Sequence, residues 1–236
     1  MIELLLGFVL VVPVAPVTAV ADRPVPNTLT SEERAAGFKL LFNGKDLSGW
    51  EHNGPPGTFH VEHGILVGKL KPGTAYWLST REQFGDFELR LQYMIDRNGN
   101  SGVFIRAPRE GRTSREGMEI QIVDDANSSR PPHKGSTGAI YGVVPPRVIA
   151  SKPAGQWNDL WIRCEGDRVT VTLNGIVVND VHMNDHPELR NRPRRGYIGL
   201  SAHTGVVRYR TIRIKVLDAA KQAKGKTRPE SHEQTH

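Results

Sequence analysis

Two residues of the stretch GMEIQIVDD, 117 to 125, carry side chains suited to chemistry on a polar ligand: Glu119, which can take a proton, and Gln121, whose amide can hold a hydroxyl. The segment otherwise reads as a strand, in which successive residues point to opposite faces. A carboxylate and a planar amide two positions apart therefore share a face with Val123, while Met118, Ile120 and Ile122 form the core-facing set. The same alternation in GVFIR sends Val103 and Ile105 one way and Phe104 and Arg106 the other. If the two strands are neighbours, a proton acceptor, an amide and a permanent cation with a fixed fork of donors converge on one outer surface. A solvated face with an Arg–Glu cross-strand pair is the alternative that the pattern leaves open.

The loops around these strands favour a sugar ligand. Asn98, Asn100 and Ser101 precede one strand, and Asp124, Asp125 and Asn127 follow the other. Amides suit hydroxyls, and aromatic rings such as Tyr141, Trp77 and Trp50 suit the C–H faces of a pyranose. Other clusters read more simply. His60-x-x-His63 spans a strand and its turn, and His182-x-x-x-His186 is interrupted by loop residues before Pro187, so both read as surface histidines and no metal site is expected. Asp124, Asp125 and Asn127 offer oxygens to Ca²⁺, but an acidic turn cap accounts for them with fewer demands, so no cofactor is expected. GNSG lacks the strand–helix context of a phosphate loop.

The elements that must position these residues are short strands. DFELRLQYMI alternates, with Phe87, Leu89, Leu91 and Tyr93 on one side and Glu88, Arg90 and Gln92 on the other. HVEHGILVGK reads as a hairpin turning at Gly64, and residues 157–181 as a three-strand meander with Asn174-Gly175 as a type I′ turn. FKLLF and the RTIRIKVL end are expected to pair and close the fold. About ten to twelve strands and no long amphipathic helix predict an all-β, two-sheet antiparallel jelly-roll sandwich. Cys164 falls in phase with Leu160 and Ile162 and reads as a core residue.

The chain has 236 residues, 38% of them hydrophobic, enough for one domain with a single core. Its 24 glycines and 16 prolines suit a turn-rich β protein. The net charge of +6 comes from basic residues scattered among 25 acidic ones, without a basic run interleaved with aromatics, so nucleic acid is not an expected partner. LLLGFVLVVPVAPV followed by AVA resembles the apolar core and cleavage site of a secretory signal ending at Ala21, although MIE supplies no basic residue before it. The expected organisation is a signal peptide over 1–21, a linker over 22–37 with a helical turn capped by Thr30 or Ser31, a domain over 38–218 and a disordered tail over 219–236. A secreted or periplasmic protein, free of the membrane after cleavage, follows; oligomeric state is not legible.

LFNGKDLSGW, FGDFELRLQY, GNSGVFIR, GMEIQIVDD, STGAIYGV, PAGQWNDLWIRCEG, VTLNG, RGYIGLSAH and VRYRTIRIK occur in one order. Together they resemble the 3-keto-disaccharide hydrolase domain family, over about Phe38 to Leu217. The resemblance implies a concanavalin A-like jelly roll acting on glycosides already oxidised to a ketone at sugar carbon 3. It implies removal of the acidic hydrogen on carbon 2, elimination of the aglycone and hydration of the product. On that reading Glu119 is the base, Arg106 stabilises oxyanion charge and His203 serves as acid or base. Gln121 and Asn100 hold sugar hydroxyls, and Tyr141 and Trp77 complete the binding surface. The chain departs from the family's pattern at Ser201, where Gln is expected, at Tyr209-Arg210-Thr211, where the pattern is FRN, and at Phe59, where Trp is usual. Two alternatives stay open. Glu119-x-Gln121-x-x-Asp124 has the spacing of the Glu-x-Asp-x-x-Glu strand of laminarinase-like retaining hydrolases, which use paired carboxylates. A non-catalytic, lectin-like carbohydrate-binding domain suits the same fold.

Overall fold

The computed structural model describes residues 25–70 and 75–217; the expected signal peptide and the 219–236 tail lie outside these residues. Thirteen strands are found among the described residues. In chain order they are β1 Lys39–Leu40, β2 Trp50–His52, β3 Phe59–Glu62, β4 Ile65–Leu70, β5 Tyr76–Phe84, β6 Phe87–Ile95 and β7 Asn100–Ala107. There follow β8 Met118–Val123, β9 Asn158–Glu165, β10 Arg168–Leu173, β11 Ile176–His182, β12 Gly196–Ala202 and β13 Gly205–Val216. One sheet runs β11-β10-β9-β6-β13-β4-β3 with β1 added on β13, and the other runs β2-β5-β12-β7-β8. All pairings are antiparallel, and the architecture is the expected concanavalin A-like jelly-roll sandwich.

The period-2 pattern determines the core. Phe87, Leu89, Leu91 and Tyr93 of β6 are buried and meet Val103, Ile105, Met118, Ile120 and Ile122 of the smaller sheet. Each such side chain contributes roughly 1.5–3 kcal/mol by leaving water. Cys164 lies in the same core, where burial pushes its thiol up to about 12. Trp50 also packs there, with its indole N–H donating to the Leu41 carbonyl at 2.7 Å, so it is a core residue instead of a sugar platform.

The turns follow their residues. His63-Gly64 and Asn174-Gly175 both take positive φ, as type I′ hairpins require. Lys39 pairs with Ile214, so the first and last strands do close the fold. Within the expected linker, Asn27 and Glu33 are bound to the sandwich. Thr30 caps a short helix, α1 (Ser31–Ala35), in a reciprocal capping box with Glu33, whose carboxylate also pairs with Arg213. Asn27 donates to the Gly64 carbonyl at 2.7 Å and accepts the Thr211 N–H at 2.8 Å. Thr211 itself sits at φ 53 in a β13 bulge. The family pattern expects Asn there, a residue that tolerates the left-handed region far better than a β-branched one.

Candidate active site

Adjacent strands β12, β7 and β8 turn one face to the core and the other outward, and the outward face floors a cleft of about 490 Å³. Asn100 and Phe104 come from β7, Glu119 and Gln121 from β8, and Ser201 from β12. Pairing of Phe104 with Glu119, and of Gly102 with Gln121, sets the register that brings these side chains together. Gln121 donates to the Asn100 side-chain oxygen at 3.0 Å, which fixes both amides.

Two further cleft residues are placed by backbone pairing beyond the strands. The turn bearing His203 is held to Asn100 by reciprocal backbone bonds between Asn100 and Thr204, at 3.0 and 3.1 Å. His203 is exposed, its Nδ1 lies 2.9 Å from Thr204 Oγ1, and its other ring nitrogen has no partner among the described residues. Tyr141 arrives because the segment 138–141 runs along the outer edge of β8. Its N–H donates to the Glu119 carbonyl at 2.9 Å, leaving a ring 46% exposed in the cleft.

Glu119 dominates the electrostatics. It is only 9% exposed, and its carboxylate has no hydrogen-bond or ion-pair partner among the described residues. Burial alone pushes its carboxyl from 4.5 up to about 7, so near neutrality it can both take and return a proton. It lies across Gly102, where an added Cβ would stand 2.3 Å from Oε1. Gly102→Ala is therefore expected to displace the carboxylate and lower kcat/KM by roughly ten- to a hundredfold, with the melting temperature nearly unchanged. Steady-state kinetics beside a thermal melt checks this.

Arg106 is not in the cleft. Between β7 and β12, Phe104 opposes Gly199 and Ala107 opposes Tyr197, so β7 carries one extra residue. That bulge sits at Arg106, whose φ of 49 turns the side chain away from the face that alternation assigns to it. The guanidinium is fully buried and donates to the carbonyls of Gly85 and Gly166 and to the Asp86 carboxylate, at 3.0, 2.8 and 2.9 Å. Ala107 takes its place on the outward face. Trp77 also differs from expectation: its ring lies over Gly199, where a Cβ would come within 2.2 Å of it, and meets Phe104 edge-on at 5.5 Å. It supports Phe104 and does not itself line the cleft.

The acidic end of the opening stretch is occupied with loop geometry. Asp125 accepts from the Thr137 N–H and the Ser151 hydroxyl, both at 2.7 Å, and Asp124 accepts the Asn98 N–H at 2.9 Å. Asp124, Asn98 and Asn127 line a separate depression. Among the described residues lining the cleft, Glu119 is the one carboxylate. The cleft cations are instead Arg112 and Arg115, on the segment carrying the short helix α2 (Thr113–Glu116), which nothing in the alternating pattern signals.

A model of the family described as 3-keto-alpha-glucoside-1,2-lyase-like domain matches residues 37–215. The chain belongs to this family. The 3-keto-disaccharide hydrolase of Bacteroides thetaiotaomicron is 25% identical over 233 residues, covering 78% of this chain and 80% of that protein. A crystal structure of an inferred glycosyl hydrolase from Parabacteroides distasonis superposes with a TM-score of 0.69 at 26% identity, covering 82% of this chain and 100% of that one. The Bacillus licheniformis β-glucanase shares the fold alone, with a TM-score of 0.52 at 9% identity over 77% of this chain and 99% of that one. Ser201, the position at which the resemblance leads to an expectation of Gln, places a short side chain on the cleft floor.

Proposed function

We propose that the protein is an exported enzyme that cleaves 3-keto-glycosides, with Glu119 as its base. The observation that carries this reading is the lone, buried, unpaired carboxylate beside a fixed pair of amides. Retaining hydrolysis needs two carboxyl groups about 5 Å apart. The second acid of the alternative pattern, Asp124, is outside the cleft and bonded to the Asn98 backbone. Proton abstraction next to a ketone needs only one base, so one carboxylate suffices.

The Glu119 carboxylate takes the hydrogen from carbon 2, and the C–H electron pair forms an enolate whose charge rests on the carbon-3 oxygen. With Arg106 buried elsewhere, we assign the second N–H of the Gln121 amide to that oxygen. The enolate reforms the ketone, a double bond forms between carbons 1 and 2, and the aglycone oxygen leaves carbon 1 with a proton from His203. Water then adds its oxygen to carbon 1 and gives a proton back to His203, while protonated Glu119 returns a proton to carbon 2. The net change is hydrolysis without oxidation or reduction. The family's 1,2-lyase-like description and the hydrolase name of the Bacteroides relative support these two halves.

The test compares a 3-keto-glucoside with its unoxidised parent in heavy water. Release of aglycone from the keto compound alone, with deuterium appearing at carbon 2, is the expected result. Cleavage of the parent overturns the mechanism, and tight binding without cleavage of either compound makes the protein a carbohydrate-binding domain.

A further inference from the structure

Arginines 109, 112 and 115 follow one another on the segment leaving β7, and only the first is neutralised. Arg109 pairs with Glu51 and lies 4.2 Å over the Tyr197 ring. Arg112 and Arg115 are exposed and line the cleft, and neither guanidinium has a hydrogen-bond or ion-pair partner among the described residues. Glu116, next to Arg115 in sequence, has its Oε1 accepting the Arg112 backbone N–H at 3.0 Å.

The segment is anchored. Arg192 donates to the Ser114 and Gly117 carbonyls at 3.1 and 2.6 Å. Gly117 packs so tightly on Ala107 that an added Cβ would lie 2.4 Å from its Cα. Two cations without a protein partner thus stand on an anchored segment at the wall of the cleft, where an anion can meet them. The base on the floor is not that anion. Neither guanidinium has a hydrogen bond or ion pair with the Glu119 carboxylate, so both are open to an anion on the ligand. A ligand whose carbon 2 meets Glu119 extends from the floor of the cleft toward its wall, and its aglycone is the part that varies in charge.

We infer that Arg112 and Arg115 form a subsite for a carboxylate on the aglycone, so that acidic 3-keto-glycosides are the preferred substrates. This rests on the 3-keto-glycoside reading above. Guanidinium groups bind carboxylates through paired, charge-assisted hydrogen bonds. The carboxylate can belong to an aromatic acid or to a uronate.

The experiment measures kcat/KM for three 3-keto-glucosides, with phenyl, 4-carboxyphenyl and glucuronate aglycones, on the wild type and on the Arg112→Gln/Arg115→Gln double variant. At least one acidic substrate is expected to exceed the phenyl compound by roughly tenfold, the value of an exposed charge-assisted contact, and to lose that advantage in the double variant and at high salt. Which acid wins tells the aromatic source from the sugar one. Equal values for all three substrates, or a preference that survives the double variant, overturn the inference. Dissociation constants of the same compounds on Glu119→Gln, read by calorimetry, give the same ratio without turnover. A protein that binds the acids selectively and cleaves nothing therefore loses the mechanism and keeps the subsite. A protein that cleaves all three equally loses the subsite and keeps the mechanism.

Discussion

Glu119→Gln is expected to lower turnover of a 3-keto-glucoside by about 10²–10⁴-fold and, at the same time, to make the protein more stable above pH 7. Both effects come from the same burial. The amide keeps the shape of the side chain and removes its capacity to accept the carbon-2 proton. The stability change has a definite sign. The folded-state value of about 7 lies above the ordinary 4.5, so between these values the unfolded chain gives up a proton that the folded chain retains. In the wild type, stability present below pH 4.5 is lost as pH rises through about 7, and above that the loss is constant. It amounts to on the order of 3 kcal/mol, or roughly 5–10 °C in melting temperature for a domain of this size. The variant escapes it, so the two melting curves should coincide at pH 4 and separate by pH 8. Wild-type kcat/KM should rise as pH passes up through about 7, because the ionised carboxylate is the base. Full activity in Glu119→Gln, or melting curves that run parallel at all pH values, would remove Glu119 from the mechanism.

Arg106→Leu is expected to destabilise the protein by about 2–4 kcal/mol, since it leaves partly buried Asp86 and two backbone carbonyls without their shared donor. The guanidinium joins the turn between β5 and β6, at Gly85 and Asp86, to the turn between β9 and β10, at Gly166. Asp86 also accepts the Gly166 N–H at 3.0 Å, so one carboxylate serves both turns. The two sheets are thereby tied at one end of the sandwich. Arg106→Lys should recover little, because an ammonium lacks the planar fork that reaches three acceptors at once. Adding Asp86→Asn to Arg106→Leu should recover part of the loss by removing the stranded charge, with a coupling of roughly 0.5–3 kcal/mol between the two sites. Denaturant unfolding of the single and double variants measures this. A variant of normal stability and greatly reduced kcat would instead return Arg106 to catalysis.

These two residues show where sequence reasoning succeeds and where it stops. Glu119 and Gln121 are legible because β8 keeps a strict period of two from Met118 to Val123, with every second residue in the core. Alternation gives the wrong face for Arg106 because a one-residue bulge resets the period, and an arginine at a left-handed position carries no glycine to mark it. The hairpins at Gly64 and Asn174-Gly175 are legible from turn chemistry, whereas Tyr141 reaches the cleft through edge pairing, a non-local contact without a local pattern. Trp50 illustrates another limit, since an indole suits a sugar face and a core equally well and only the Leu41 carbonyl decides between them. Arg112 and Arg115 lie at the start of and within a four-residue helix, too short to show a period.

The segment that carries Tyr141 has a second consequence, for self-association. β8 ends the smaller sheet, and a terminal strand bearing unpaired backbone groups is a template for another chain. Here Gly138 donates to the Gln121 carbonyl, Gln121 to the Ala139 carbonyl and Tyr141 to the Glu119 carbonyl, at 2.9, 3.0 and 2.9 Å. The Gly138 carbonyl in turn accepts from Asn179 of the other sheet at 2.8 Å, so the cover is fastened at its far side. The strand that holds the candidate base can thus keep an apolar inner face and an open outer one without offering its margin to a second copy for fibril-like growth.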